Sequence, residues 1–550
     1  MKRRFPTLHP ILIAVFPILF KYSQNMQEFP IRQLVTPVLY AGVLAGAAWA
    51  VLAGIMRDAR KSGLLVSLFA ILFFSYEHAV NLLSAYSRSG GMSFIGKPSV
   101  VLAVFVAVFA VGAAAVFRTK KDLADLAKIV NFVSVVLVAV PLFTIGSYKA
   151  RNRVYYIRHG HTLVDEMAAK EIANSPDVFY IILDAYGRAD NLAEIYGYDN
   201  TEMIEFLRAK GFYVADKAHS NYSHTRFSLS SSLNLEYLDE LVAKVGEDYE
   251  DYAPVTEMTA HSKVRSIART QGYGFVAFDN GFYVTTIRDA DLFLRRAEEK
   301  GEFARGVMDG TPLVSNEDKS EQDRERVLYM LDALPRVGSP VKRYFVFAHI
   351  MIPHPPYIFN SSGGPSDIKR YYGFQSANRL ICPEGITRSE AMRRYVDQVR
   401  FVNSKIKTVV NSLLERSPKP VIIIQGDHGS GTFTEHENID NTYLADRMSI
   451  LAAVYLPDGG RDKLYAGITP VNTLRLVMTE YFNEDLELLP DRSYFSEVPK
   501  PYKFYDVTDE IGDEQDRLRY ERLKAQDYFE VPAGAEETSR KSNQGAHPSR

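Results

Sequence analysis

One cysteine, Cys382, is all that the 550 residues contain, and a lone thiol excludes both an intramolecular disulfide framework and a cysteine-rich metal site. Excess charge of either sign is lacking too. Lys and Arg number 64 against 66 Asp and Glu, a formal net charge of −2 with a sequence pI near 6.7. No overall basic field argues for nucleic acid, and no zinc-finger or RNA-binding signature is present. Internal repeats are absent. The chain is too long for one ordinary domain, and its average composition hides an apolar first part of about 150 residues and a globular remainder.

That first part holds five apolar stretches of spanning or near-spanning length, at about 5–20, 34–55, 63–86, 98–117 and 127–147. The first follows Lys2, Arg3 and Arg4, lacks a small-residue cleavage site and precedes other spans, so it reads as an uncleaved helix. Arg57, Arg60 and Lys61 follow the second stretch, and Arg118, Lys120, Lys121 and Lys128 follow the fourth. The alternate loops hold fewer basic residues. The positive-inside rule then puts the amino terminus in the cytoplasm, and an odd number of spans puts everything after Ser147 outside it. Glu77, His78 and Asn81 sit towards the outer end of the third stretch, where they could meet a lipid headgroup or simply satisfy a neighbouring helix.

From Asp177 onward, strand-like runs alternate with helical patterns, the mark of an α/β domain with a largely parallel sheet. Two β-branched or apolar runs end in acids: Val178 to Leu183 leads to Asp184, and Val421 to Ile424 leads to Asp427, His428 and Gly429. Open α/β sheets place their chemistry at such carboxyl ends. Two carboxylates and an imidazole suit zinc or manganese better than calcium, whose shells are all oxygen. The competing reading of Asp-His-Gly is a plain turn after a core strand.

Asn221 to Asn234 is dense in hydroxyls and reads as a loop entering a helix, with Thr225 near its start, where amides and the helix dipole favour an anion. Thr225 could equally be a simple cap. Tyr344 to Phe347 reads as a strand leading into His349 to Tyr357, a loop stiffened by Pro353, Pro355 and Pro356. His354, fixed there, can bind a phosphate oxygen, protonate a leaving alkoxide, or only bond the loop backbone. Glu390 to Leu414 and Val471 to Phe482 read as helices and Ile450 to Leu456 as a strand. Residues 290–325 read as surface excursions, and those after about 533 as a disordered tail.

Asp184, Thr225 in its T-x-x-S-L-x-S-x-L-N setting, His354 before Pro-Pro-Tyr, and Asp427-His428-Gly429 follow one another in an order that resembles the alkaline phosphatase and sulfatase superfamily. The resemblance is closest to its membrane-anchored branch of lipoteichoic acid synthases and phosphoethanolamine or phosphoglycerol transferases. It implies one divalent ion, manganese or zinc with magnesium as a further option, held by Asp184, Thr225, Asp427 and His428. Thr225 would be the nucleophile, His354 would act on the substrate side, and His349 would be a second candidate for that work. The branch carries glutamate where this chain has Asp184, which leaves the transferred group open. Cys382 stands in Cys-Pro-Glu-Gly, without the C/S-x-P-x-R context of a sulfatase. His436, His349 and His354 could be recruited for a second ion, as in two-zinc phosphatases.

The resulting expectation is a transmembrane domain at 1–150, a linker at 151–176, an extracytoplasmic sulfatase-like domain at 177–507 and a charged extension at 508–550. It further implies a multi-pass bacterial inner-membrane enzyme with a periplasmic catalytic domain. Such an enzyme moves a phosphoglycerol or phosphoethanolamine group from a phospholipid donor in the bilayer to an envelope glycan or lipid. The alternatives are a membrane-anchored phosphodiesterase, phosphatase or sulfatase-like hydrolase, and a non-catalytic lipid-binding or regulatory protein.

Overall fold

The computed structural model describes residues 7–26, 31–88, 95–159, 176–296, 302–309, 311–314, 316–339, 342–367 and 387–525. It divides into two compact units, Met1–Asp165 with Arg296–Lys319, and Glu166–Arg295 with Ser320–Arg550.

The first unit is helical: α1 (His9–Gln24), α2 (Ile31–Met56), α3 (Ala59–Arg88), α4 (Pro98–Arg118) and α5 (Ala124–His159). Four of these, α2 to α5, are long and apolar enough to cross a membrane. Five spans were expected; α1, at 16 residues, is the exception. It covers about 24 Å of a hydrocarbon core roughly 30 Å thick. Yet Ile13, Ala14, Val15, Ile18, Leu19 and Tyr22 of α1 are all buried, packed on residues of α2, α3 and α5. The other helices turn apolar side chains outward, with Val111 71 %, Phe132 71 % and Phe143 78 % exposed, a surface suited to lipid rather than water. Glu77 and His78 lie on α3, the first half-buried and the second exposed.

Part of the stretch read as surface excursions belongs to this unit. Its helix Glu302–Asp309 sets the Phe303 ring edge-on to Tyr22 at 5.5 Å, and Phe303 N donates to Gln33 Oε1 at 3.1 Å. Phe303 and Val307, one turn apart, give an otherwise polar segment a short apolar stripe.

The second unit is built on a seven-stranded sheet: β1 (Val178–Leu183), β2 (Tyr213–Val214), β3 (Gly274–Phe278), β4 (Leu292–Leu294), β5 (Tyr344–Ile350), β6 (Val421–Gln425) and β7 (Ala452–Tyr455). Its order is β2-β7-β6-β1-β5-β3-β4, parallel except where β7 runs against β6 and β2. A separate hairpin, β8 (Tyr494–Glu497) and β9 (Lys500–Asp506), completes the strands. Every residue of β1 is fully buried because helices cover both faces. Phe179, Ile181 and Leu183 join a core with Val399, Val402 and Ile406 of the helix Arg388–Leu414. Val178, Tyr180 and Ile182 point the other way, into a core with Leu229, Leu233 and Leu474. The run is continuous rather than alternating for that reason.

Register then aligns the strand ends. Ile182 pairs with Gln425 on one side and His349 on the other, so the residues just beyond β1 and β6 emerge side by side. The stretch from 508, expected as a charged extension, continues the fold to Ala525: its helix Glu514–Lys524 stacks Tyr520 on Tyr443 at 4.6 Å. Cys382 and the tail expected after 533 lie outside the described residues.

Candidate metal centre

Asp184 follows β1 directly and Asp427 and His428 follow β6, so parallel pairing alone brings them to one edge. Ala185 turns the chain through a left-handed conformation, φ +64°, and its amide donates to Asp427 Oδ1 at 3.1 Å. Gly426 and Gly429 are required by close backbone approach. A Cβ on Gly426 would lie 2.6 Å from Tyr186 O, and one on Gly429 2.1 Å from Asp446 O. Thr225 is the first residue of the helix Thr225–Asn234, with His224 as the extended N-cap, so its hydroxyl is not spent on capping. Ser228, one turn on, donates to Asp427 O at 2.7 Å and ties that helix to the β6 end.

The side chains converge. Asp184, Asp427 and His428, all buried, each place a ligand atom within 4.8 Å of the others. From His428 Nε2 it is 3.7 Å to Asp184 Oδ1, 3.4 Å to Asp427 Oδ2 and 3.1 Å to Thr225 Oγ1. Four donors around a zinc-sized ion at about 2.0–2.1 Å stand about 3.3 Å apart, which these separations match. His428 Nδ1–H donates to Gly429 O at 2.9 Å, so Nε2 carries the lone pair. Among the described residues, Asp184 Oδ1 and Asp427 Oδ2 are buried without a hydrogen-bond partner, which suits both atoms to binding a cation.

Electrostatics agrees with that fit. Burial, and then the charge of Asp184, push Asp427 up to about 7. Burial also opposes charge on Asp184, but nearby His354 and the hydrogen bond from His349 outweigh it and hold the carboxyl below the usual range. Burial and the Arg447 charge keep His428 neutral, the form that ligates. A divalent cation would remove the repulsion between the two acids.

His349 lies within β5, not in the loop after it. Its Nε2 donates to Asp184 Oδ2 at 3.1 Å, and its Nδ1 accepts from Thr285 Oγ1 at 2.8 Å and Asn280 Nδ2 at 3.2 Å. Both ring nitrogens are thus engaged in orienting Asp184. His354 faces the cluster from the loop, its ring 6.1 Å from that of His428. Its Nδ1–H donates to Pro355 O at 2.5 Å, and burial holds the ring neutral, which leaves Nε2 as an acceptor. His436 is not one of the three converging candidate ligands; its ring is 5.1 Å from that of His224, and no second such group converges among the described residues.

Three supporting residues escaped the sequence reading. Gln398 accepts from Ile358 N and Phe359 N and donates to Pro353 O and His354 O, pinning the His354 loop. It looks like any polar residue on an amphipathic helix. Arg447 Nε donates to Ser223 O at 2.7 Å, two residues before Thr225. A charge just ahead of the strand-like run Ile450 to Leu456 was its signal. Asp516 caps the turn that carries Arg447, accepting from Leu444 N at 2.7 Å and Ala445 N at 2.9 Å.

Fold and site together define an α/β domain with an acid, acid, imidazole and hydroxyl cluster at its strand ends. Among solved structures, the chain is similar to the periplasmic domain of EcEptC from Escherichia coli in complex with zinc, at 12 % identity and TM-score 0.41 over 64 % of this chain and 99 % of that one. It is also similar to the integral membrane lipooligosaccharide phosphoethanolamine transferase A of Neisseria meningitidis, at 14 % identity and TM-score 0.38 over 86 % and 94 %. No family model and no curated protein matches the chain.

Proposed function

We propose that the protein is a metal-dependent phosphotransferase of the membrane, which moves a phosphoglycerol or phosphoethanolamine group from a phospholipid to an envelope glycan or lipid. The observation that carries this reading is the Thr225 hydroxyl, 3.1 Å from a neutral His428 and beside two carboxylates with unpartnered oxygens. A threonine hydroxyl is a weak nucleophile, and a divalent ion, which Asp184, Asp427, His428 and Thr225 would hold, would supply its activation and offset phosphoryl charge. Thr225 Oγ forms a bond to phosphorus as the bond to the diacylglycerol oxygen breaks. The hydroxyl proton passes by way of His354 Nε2 to that oxygen. In the second half the acceptor hydroxyl displaces Thr225 and its proton returns along the same route.

The helical unit supports a bilayer setting: four helices are of spanning length, and the shorter α1 is buried among its neighbours. With α1 counted as a fifth span, as the sequence reading has it, the positive-inside rule would set the second unit outside the cytoplasm, where confinement to the membrane concentrates donor headgroups. Purified protein incubated with headgroup-labelled phosphatidylglycerol or phosphatidylethanolamine, a divalent ion and envelope acceptors tests this. Diacylglycerol release with labelled acceptor is expected, and T225A is expected to lower it by on the order of 10³-fold or more. Release of free headgroup phosphate in place of labelled acceptor supports a hydrolase, and no turnover at all contradicts catalysis.

A further inference from the structure

Among the described residues, buried arginines are paired, with one exception. Arg265 ion-pairs with Asp289, Arg326 with Asp323, Arg394 with Glu390 and Arg519 with Glu510, while Arg388 lies over the Phe433 ring. Arg447 is 2 % exposed and has neither a carboxylate within ion-pair distance nor an aromatic face among the described residues. Among the described residues its one side-chain hydrogen bond is Nε to Ser223 O, and neither Nη1 nor Nη2 has a partner there. An isolated buried cation costs several kcal/mol unless something compensates it.

The guanidinium is held rather than loose. Its backbone carbonyl accepts from Gly429 N at 2.7 Å, its Nε reaches the loop before Thr225, and Asp516 caps its short helix Leu444–Met448. Those three ties hold it between the nucleophile loop and the Asp427-His428 loop. Its charge is felt by His224, His428 and His436, each held neutral by burial first and by Arg447 next. Burial lowers Arg447 itself to about 10, so it stays protonated near neutral pH.

We propose that Nη1 and Nη2 of Arg447 form an anion subsite that takes the two non-bridging oxygens of the donor's phosphate diester, next to Thr225. An end-on guanidinium fork matches two such oxygens, whereas a point charge does not. The inference deepens the reading of this site as a phosphotransferase and assigns the diester's negative charge to a residue outside the metal ligands. In that role Arg447 offsets charge that the metal alone shares with two carboxylates.

Calorimetry on the full-length protein in detergent, stripped of metal, tests the subsite without turnover. The probes are sn-glycero-3-phosphoethanolamine, a headgroup diester, and inorganic phosphate. Diester binding is expected to weaken at least tenfold in R447M and several-fold in R447K, which keeps the charge but not the fork, with zinc affinity unchanged or tighter in both. Wild-type diester affinity in a folded R447K or R447M overturns the subsite, as does loss confined to inorganic phosphate. Loss of zinc and diester binding together in R447K overturns it too, because the arginine would then only support the carboxylates. Transfer that persists while diester binding ignores Arg447 removes this inference alone; Arg447-dependent binding without transfer removes only the proposed reaction.

Discussion

Thr225 and His428 are 203 residues apart in the chain, and their side chains meet at 3.1 Å. Neither lies in a strand. Thr225 opens a helix tied to the β6 end through Ser228, and His428 leaves that end through a turn with no room for a Cβ at Gly429. The contact therefore depends on backbone packing as much as on either side chain, and the consequences can be tested from both directions.

His349 positions Asp184 without reaching the cluster centre. Removing the Nε2–H donor in H349F leaves Asp184 Oδ2 unsatisfied and free to rotate. Zinc affinity is expected to fall about 10–100-fold, as for other residues that orient a metal ligand. Competition with a chromophoric chelator reads this, and H349Q, which can still donate, should recover part of the loss.

Gln398 is fully buried and makes four hydrogen bonds to the His354 loop. Q398L removes them while roughly keeping volume, and a stability cost of about 1–3 kcal/mol is expected from the polar groups stranded. Turnover should fall with zinc affinity intact, because the loop carries His354 and no ligand. Steady-state kinetics beside metal titration separates the two.

Gly429 and Gly272 give a matched contrast. G429A drives a methyl to 2.1 Å from Asp446 O and 2.7 Å from Ser449 O, so backbone must move. G272A meets open space and bears only the cost of φ +79°, about 1–2 kcal/mol. The first should lower the thermal midpoint of the second unit well beyond the second substitution and cost metal binding; G272A should leave metal binding alone.

His436 is buried and neutral, held well below its ordinary range first by burial and then by Arg447. Unfolding exposes a ring with a pKa near 6.5, so the unfolded state binds the extra proton below that pH and stability falls as pH falls. The slope is up to about 1.4 kcal/mol per pH unit for one group. Asp446, raised to about 6 by burial, works in the opposite sense between about 6 and 4. H436N should therefore flatten the loss of stability of the metal-free protein between pH 6.5 and 5 by about that amount, read from denaturation midpoints at fixed ionic strength.

Runs such as Val178 to Leu183 and Val421 to Ile424 were legible because continuous burial leaves a continuous apolar signature, and the acids ending them stood out against it. Thr225, Asp184, Asp427 and His428 followed from strand ends and the motif order. Arg447, Gln398 and Asp516 did not, since each acts through partners 39 or more residues away that no local pattern announces. His349 was misplaced by two residues of strand: β5 continues to Ile350 because β1 still offers Ile182 and Leu183 as partners. The helix Glu302–Asp309 hid its two apolar residues in a charged stretch.

X-ray absorption at the zinc edge of the zinc-loaded protein tests the central claim most directly. One zinc per chain is predicted, with a shell of nitrogen and oxygen at about 2.0 Å that contains a single imidazole, and one oxygen fewer or a water in its place in T225A. A shell with two or more imidazoles, one containing sulfur, or no stoichiometric zinc would contradict the account.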